Sequence, residues 1–218
     1  MLFLFVVIVA LLLAIFVVTR RRRKSALSAL TISQGGYAIP PTAKMVEAER
    51  QDHDEVTKLL EASIRASGLF RTEAIPGLVS KLRGGWEPFA RVSTRAAFEG
   101  DEILSVEEKR ALGLNTRMKY SKALIDCFDP RCLSTIEPKS VLEDMHLNAF
   151  HRVARKRDLL EIRELGVKQV RIVPLGGRDC AKIRRLKKIH DIDELPELPL
   201  PGCTAPYCLC MYEAIIPK

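Results

Sequence analysis

Hydrophobic positions are distributed very unevenly along this chain. Residues 1–18, MLFLFVVIVALLLAIFVV, are all apolar, and Arg20, Arg21, Arg22, Arg23 and Lys24 follow almost at once. As a helix the run is about 27 Å long, nearly the thickness of a hydrocarbon core. A cleaved signal peptide carries its cations ahead of the apolar run, and here none precedes it. The pattern predicts an uncleaved single-pass anchor over residues 1–19 of the cell membrane, with the N-terminus outside and a cytoplasmic C-terminal body.

Residues 20–44 read as a basic juxtamembrane segment and linker, small and polar with Gly35-Gly36 and Pro40-Pro41. Helical periodicity follows. Val56, Leu59, Leu60 and Ile64 fall on one face of a helix expected over 44–66, which Gly68 ends. A short helix is expected over 72–82, interrupted at Pro76-Gly77, and Trp86 to Phe89 reads as loop. Ser105-Val-Glu-Glu108 forms a capping-box pattern with Gly113 as the stop, and a further short helix is expected over 120–128. This pair resembles a helix-turn-helix only superficially, because its second helix is short and carries little positive charge.

Ser140-Val-Leu-Glu143 reads as a second capping box, opening a long helix over 141–165 that Gly166 stops. Its expected apolar stripe is Leu142, Met145, Ala149, Val153 and Leu160, with Asp144, His151, Arg155 and Asp158 on the opposite side. Strands are expected over 167–173 and 209–216. The expected fold is therefore α+β and mainly helical. It comprises the transmembrane helix, a helical region over 45–137, and a long helix plus a small Cys-rich module over 138–218.

Charge changes this picture little. The formal net charge is +8, but five cations flank the apolar run, so the body is only mildly basic. Global charge is then no argument for nucleic acid. Two local groups are basic: Lys182, Arg184, Arg185, Lys187 and Lys188, and on the long helix Arg152, Arg155, Lys156 and Arg157. Such groups attract phosphate or anionic headgroups, or they are solvated faces paired with nearby acids.

Cysteines change it more. Cys180, Cys203, Cys208 and Cys210 stand as C-x22-C-x4-C-x-C, with the last three on the turn-forming stretch LPELPLPGCTAPYCLC. In a reducing cytoplasm clustered thiols point to metal rather than disulfides. Four thiolates are the ligand set of a closed structural Zn²⁺ site. Reduced core thiols, a redox pair at Cys208 and Cys210, and disulfides are the alternatives. On an extended strand residues two apart are separated by roughly 6.6 Å, so C-x-C can serve one ion only if the backbone kinks or one thiol stays out. Cys127 and Cys132 read as core thiols, with a second metal half-site as the alternative. Glu143-Asp-Met-His146 is a lone ExxH without the second copy that a di-iron bundle needs, and His146 falls on the apolar stripe. No phosphate-cradling loop or nucleophile elbow occurs.

Asn148-Ala-Phe-His-Arg152, Glu164 to Ile172, Asp179-Cys180, Leu198-Pro-Leu-Pro-Gly-Cys-Thr204 and Cys208-Leu-Cys210 together resemble the Cys-rich C-terminal module of phage head-morphogenesis (minor head) proteins and their uncharacterised bacterial relatives. The resemblance covers residues 140–215 or so. It implies a shared small fold rather than a shared task, since a virion protein has no need of an N-terminal span. Ile183 stands where that module has the second Cys of a CxxC, and His190 is a conceivable replacement ligand. The sequence thus reads as a membrane-anchored binding or scaffold protein with a structural zinc site, more in keeping with a non-enzyme. It has the bilayer and a protein as partners, and no small-molecule substrate is inferred. Nucleic-acid binding at the membrane through the basic groups, and thiol-redox activity at Cys208/Cys210, are the alternatives. The process, the partner and the oligomeric state are not legible.

Overall fold

The computed structural model describes residues 31–32, 38–39, 41–84, 94–174, 182–186, 189–203, 205 and 207–216. The expected membrane span, Trp86 to Phe89 and Cys180 lie outside the described residues. Among those described, no helix is long and apolar enough to cross a membrane.

The chain divides into two units, residues 1–51 with 85–92 and residues 52–84 with 93–218. In the first, β1 (Thr31–Ile32) pairs antiparallel with β2 (Ala38–Ile39). Its last part is the opening of α1 (Ala43–Ser67), where Glu47 accepts hydrogen bonds from Arg50 and Gln51.

The second unit holds two apolar clusters. Val56, Leu60 and Ile64 of α1 recur every four residues and are buried in the first, as a core-facing helical stripe requires. Gly68, at φ +65°, ends the helix in a conformation costly for any residue with a Cβ. A 3₁₀ turn (Thr72–Ala74) leads into α2 (Ile75–Gly84), which adds Ile75, Leu78 and Val79. Pro76 does not interrupt this helix. It lies in the first turn, where its missing N–H has no intrahelical acceptor.

Phe70 and Phe128 are buried side by side, with ring centroids 4.2 Å apart. The flanking backbone bonds, Arg71 N to Cys127 O and Asp129 N to Leu69 O, hold the two loops together. The capping box on α3 (Val106–Ala111) is present in full: Glu108 N donates to Ser105 Oγ, and Ser105 N donates to Glu108 Oε2. Lys109 is buried, and its Nζ donates to the carbonyls of Thr116 and Met118. The expected 120–128 helix contracts to α4 (Lys122–Ile125), capped by Ser121.

The long helix, α5 (Pro138–Glu164), starts three residues before the expected position. Glu137 is its N-cap, accepting from Ser140 N at 2.6 Å, and Pro138 fills the first turn. Ser140 is therefore inside the helix and is not its cap. Fixed φ at Pro138 favours helix there, and this outweighs the capping-box pattern two residues later.

The predicted single stripe on α5 also needs correcting. Leu142, His146, Ala149 and Val153 are buried, the three apolar ones in the first cluster, whereas Leu160 is exposed and Arg155 is buried. Leu159 and Ile162 pack on the second cluster. At 100° per residue, Asn148, Arg155, Leu159 and Ile162 form a second stripe about 140° around the helix from the first. A helix serving two cores shows no single apolar face.

Beyond Gly166 a three-stranded antiparallel sheet runs in the order β4 (His190–Asp191), β3 (Gln169–Pro174), β5 (Cys210–Ala214). Val170 pairs with His190 on one side and Ala214 on the other. Val170 and Ile172 point inward, and Arg171 points outward to an ion pair with Glu213 at 2.7 Å. Ile172, Leu198, Leu200, Cys208, Cys210 and Tyr212 make the second cluster. The fold is α+β with helix predominating.

Candidate functional site

The second cluster contains three of the four candidate metal-ligating thiols. Residues 192–203 and 207–209 lie outside the strands, so their backbone groups need partners other than a sheet ladder. Helix α5 supplies several of them. Asn148 Oδ1 accepts from Cys208 N at 3.2 Å, and Arg163 Nη2 donates to Ile192 O at 3.2 Å. Arg155 Nη1 donates to Cys208 O at 2.9 Å and to Cys210 O at 3.3 Å, and its Nη2 donates to Leu198 O at 3.3 Å. Tyr212 closes the turn from the other side, its hydroxyl donating to Pro196 O. The peptide bond between Leu198 and Pro199 is cis.

The sheet register explains why Arg155 reaches these carbonyls. Ile215 N donates to Gln169 O, so Gln169 and Ile215 are a hydrogen-bonded pair. Antiparallel alternation then makes Pro174 and Cys210 a non-hydrogen-bonded pair, with the Cys210 carbonyl turned away from β3. That outer edge faces α5, and Arg155 caps it. One nitrogen takes both carbonyls at 2.9 and 3.3 Å. The two carbonyls thus share a single donor.

Cys208 and Cys210 are buried, and Cys203 is half-buried and packs on the same cluster. Cys203 and Cys208 also line a small cleft of about 270 Å³ with Asn148 and Arg152. Among the described residues no three Cys, His, Asp or Glu side chains gather as a metal-ligand group, and Cys180 is outside those residues. Ile183 packs on the second cluster as an apolar wall. His190 stands in β4, its Nε2 buried without a hydrogen-bond partner among the described residues. Cys127 belongs with the first cluster rather than this one. Its thiol donates to Ala123 O, and burial pushes its pKa up.

The two basic groups fare differently. On α5, Arg152 pairs with Glu197 at 2.9 Å, Lys156 with Glu55 at 2.7 Å and Arg157 with Asp52 at 2.7 Å, while Arg155 is buried. The helix group is therefore engaged internally. Of the other, Lys182 donates to Pro201 O and Arg185 is exposed on a 3₁₀ turn (Ile183–Arg185). Lys187, Lys188 and the Arg184 side chain lie outside the described residues.

Burial holds the pKa values of His146 and His151 below the ordinary histidine value, with His53 and Arg155 respectively adding to the effect. His151 stacks on Tyr207, centroids 6.4 Å apart. Arg155, too, has its pKa lowered by burial, although Cys208, Tyr212 and Cys210 work against that. The sequence places Arg155 on the polar side of the helix, as an anion-binding or a solvated cation, and the structure buries it. The 7-4-3 spacing of Asn148, Arg155, Leu159 and Ile162 was the available signal. Comparison with family models, with curated proteins and with solved structures finds no match.

Proposed function

We propose that this chain is a membrane-anchored cytoplasmic binding or scaffold protein. In this reading its Cys-rich α+β module holds one structural Zn²⁺ on Cys180, Cys203, Cys208 and Cys210. The observation that supports it best is that Cys203, Cys208 and Cys210 lie at one apolar cluster, where Arg155 bridges the carbonyls of Cys208 and Cys210. Three of the thiols already share one cluster. Binding would require them to draw in around the ion with Cys180. Zinc would act there as a cross-link, adding folding free energy to a module with a small core.

The anchor rests on the apolar run and the cations behind it, and the resemblance to phage head-morphogenesis modules supports a shared small fold for residues 140–215. The nucleic-acid reading loses support because the α5 cations are paired or buried. The redox reading loses support because Cys208 and Cys210 are both buried. The test of the anchored reading uses the full chain with a C-terminal tag. It should stay in the membrane pellet through an alkaline carbonate wash, with the tag cleaved only when the cytoplasmic face is opened to protease. Release by carbonate, or cleavage from outside, would overturn it.

A further inference from the structure

A groove of about 410 Å³ runs along α5 between α1 and segment 192–198, at the small end of the range for small-molecule sites. Its walls are aliphatic: Leu59, Leu159, Ile192, Leu195 and Leu198. Tyr212 is the one ring among them, and its hydroxyl is committed to Pro196 O. The groove therefore offers an aliphatic chain a surface and a planar base no stacking platform.

Its charges are more selective. Arg152, Arg155, Lys156 and Arg163 line the groove with Glu55, Asp193 and Glu197. Three of the cations are ion-paired to those acids: Arg152 to Glu197, Lys156 to Glu55, and Arg163 to Asp193 at 3.7 Å. Arg155 is left over. It is 5% exposed, its hydrogen bonds run only to neutral carbonyls, and no carboxylate among the described residues pairs with it. A buried charge normally has a counter-charge, and the groove carries one positive charge in excess.

We propose that the groove binds an aliphatic monocarboxylate, in chemical class a medium-chain fatty acid, with its carboxylate at Arg155 and its chain along Leu59, Leu159 and Leu195. One uncompensated cation matches one negative charge, and the aliphatic walls match the chain. The proposal does not rest on the zinc reading. Its test is dodecanoate uptake, read whatever the metal content.

The experiment is equilibrium dialysis of dodecanoate against the full chain in phosphatidylcholine nanodiscs, with uptake by empty discs subtracted. About one dodecanoate should bind per chain, with dodecanol and butyrate weaker by roughly tenfold or more, because each lacks half of the recognition. Arg155→Gln should abolish uptake. Because that variant also removes carbonyl bonds, Glu197→Gln provides the second arm. Glu197 is a surface residue, and its neutralisation frees Arg152, so binding should tighten several-fold. Equal uptake of dodecanol and dodecanoate, no tightening in Glu197→Gln, or uptake no greater than that of empty discs would each overturn the proposal. In the last case, zinc that is lost in Arg155→Gln would identify metal-bound thiolates as the counter-charge.

Discussion

A guanidinium inside a protein is costly unless its N–H groups are engaged, and Arg155 engages three carbonyls, those of Leu198, Cys208 and Cys210. Arg155→Met should leave those carbonyls without a donor and destabilise the chain by about 3 kcal/mol, read as a lower urea midpoint at unchanged slope. An unchanged midpoint would mean the carbonyls find other partners. Lys109, also buried, does the same work for the carbonyls of Thr116 and Met118. Histidine burial acts on a different variable. His53, His146 and His151 all have pKa values lowered by burial. The unfolded chain then binds more protons than the folded one as pH falls through about 6.5. Stability should be full above that value and decline below it. The urea midpoint at about pH 5.5 should lie under that at about pH 7.5, and His146→Gln should narrow the gap. A pH-independent midpoint over that range would contradict the assignment.

Among the elements, helix ends were legible where their signals were local. The Ser105 box and the glycines at 68, 113 and 166, all at positive φ, stand at the expected ends. The start of α5 was not legible, because two cap signals compete within four residues and the pattern alone does not rank them. Glu137→Ala should therefore cost about 1 kcal/mol at this N-terminus, with Ser140→Ala near neutral. The reverse order would restore the sequence reading. Ser105→Ala should lose a similar amount by thermal melting. The second stripe of α5 was hidden for a different reason. Two of its members are polar, and a polar residue that binds backbone in the core looks in sequence like one that faces water.

For the molecule as a whole, α5 is the shared part: one face closes the helical core, and the other closes the Cys-rich module. The α+β class with helix in the majority was legible from periodicity. Of the candidate site, the sequence singled out Cys203, Cys208 and Cys210, and the structure places all three at one apolar cluster. What it could not show was the means by which they meet. That depends on Arg155 and Asn148, which lie about fifty residues or more from the cysteines they hold. The groove beside them has the same origin in tertiary packing, its walls coming from α1, α5 and the segment before β5.

Zinc content is the most direct test of the central claim, that the Cys-rich module is a metal-stabilised binding unit. The full chain, purified in reduced form without air, should carry about one Zn²⁺. Cys203→Ser and Cys180→Ser should each lower that stoichiometry and loosen the module. Reduced, folded protein that holds no zinc, and takes up none when it is added, would contradict the claim.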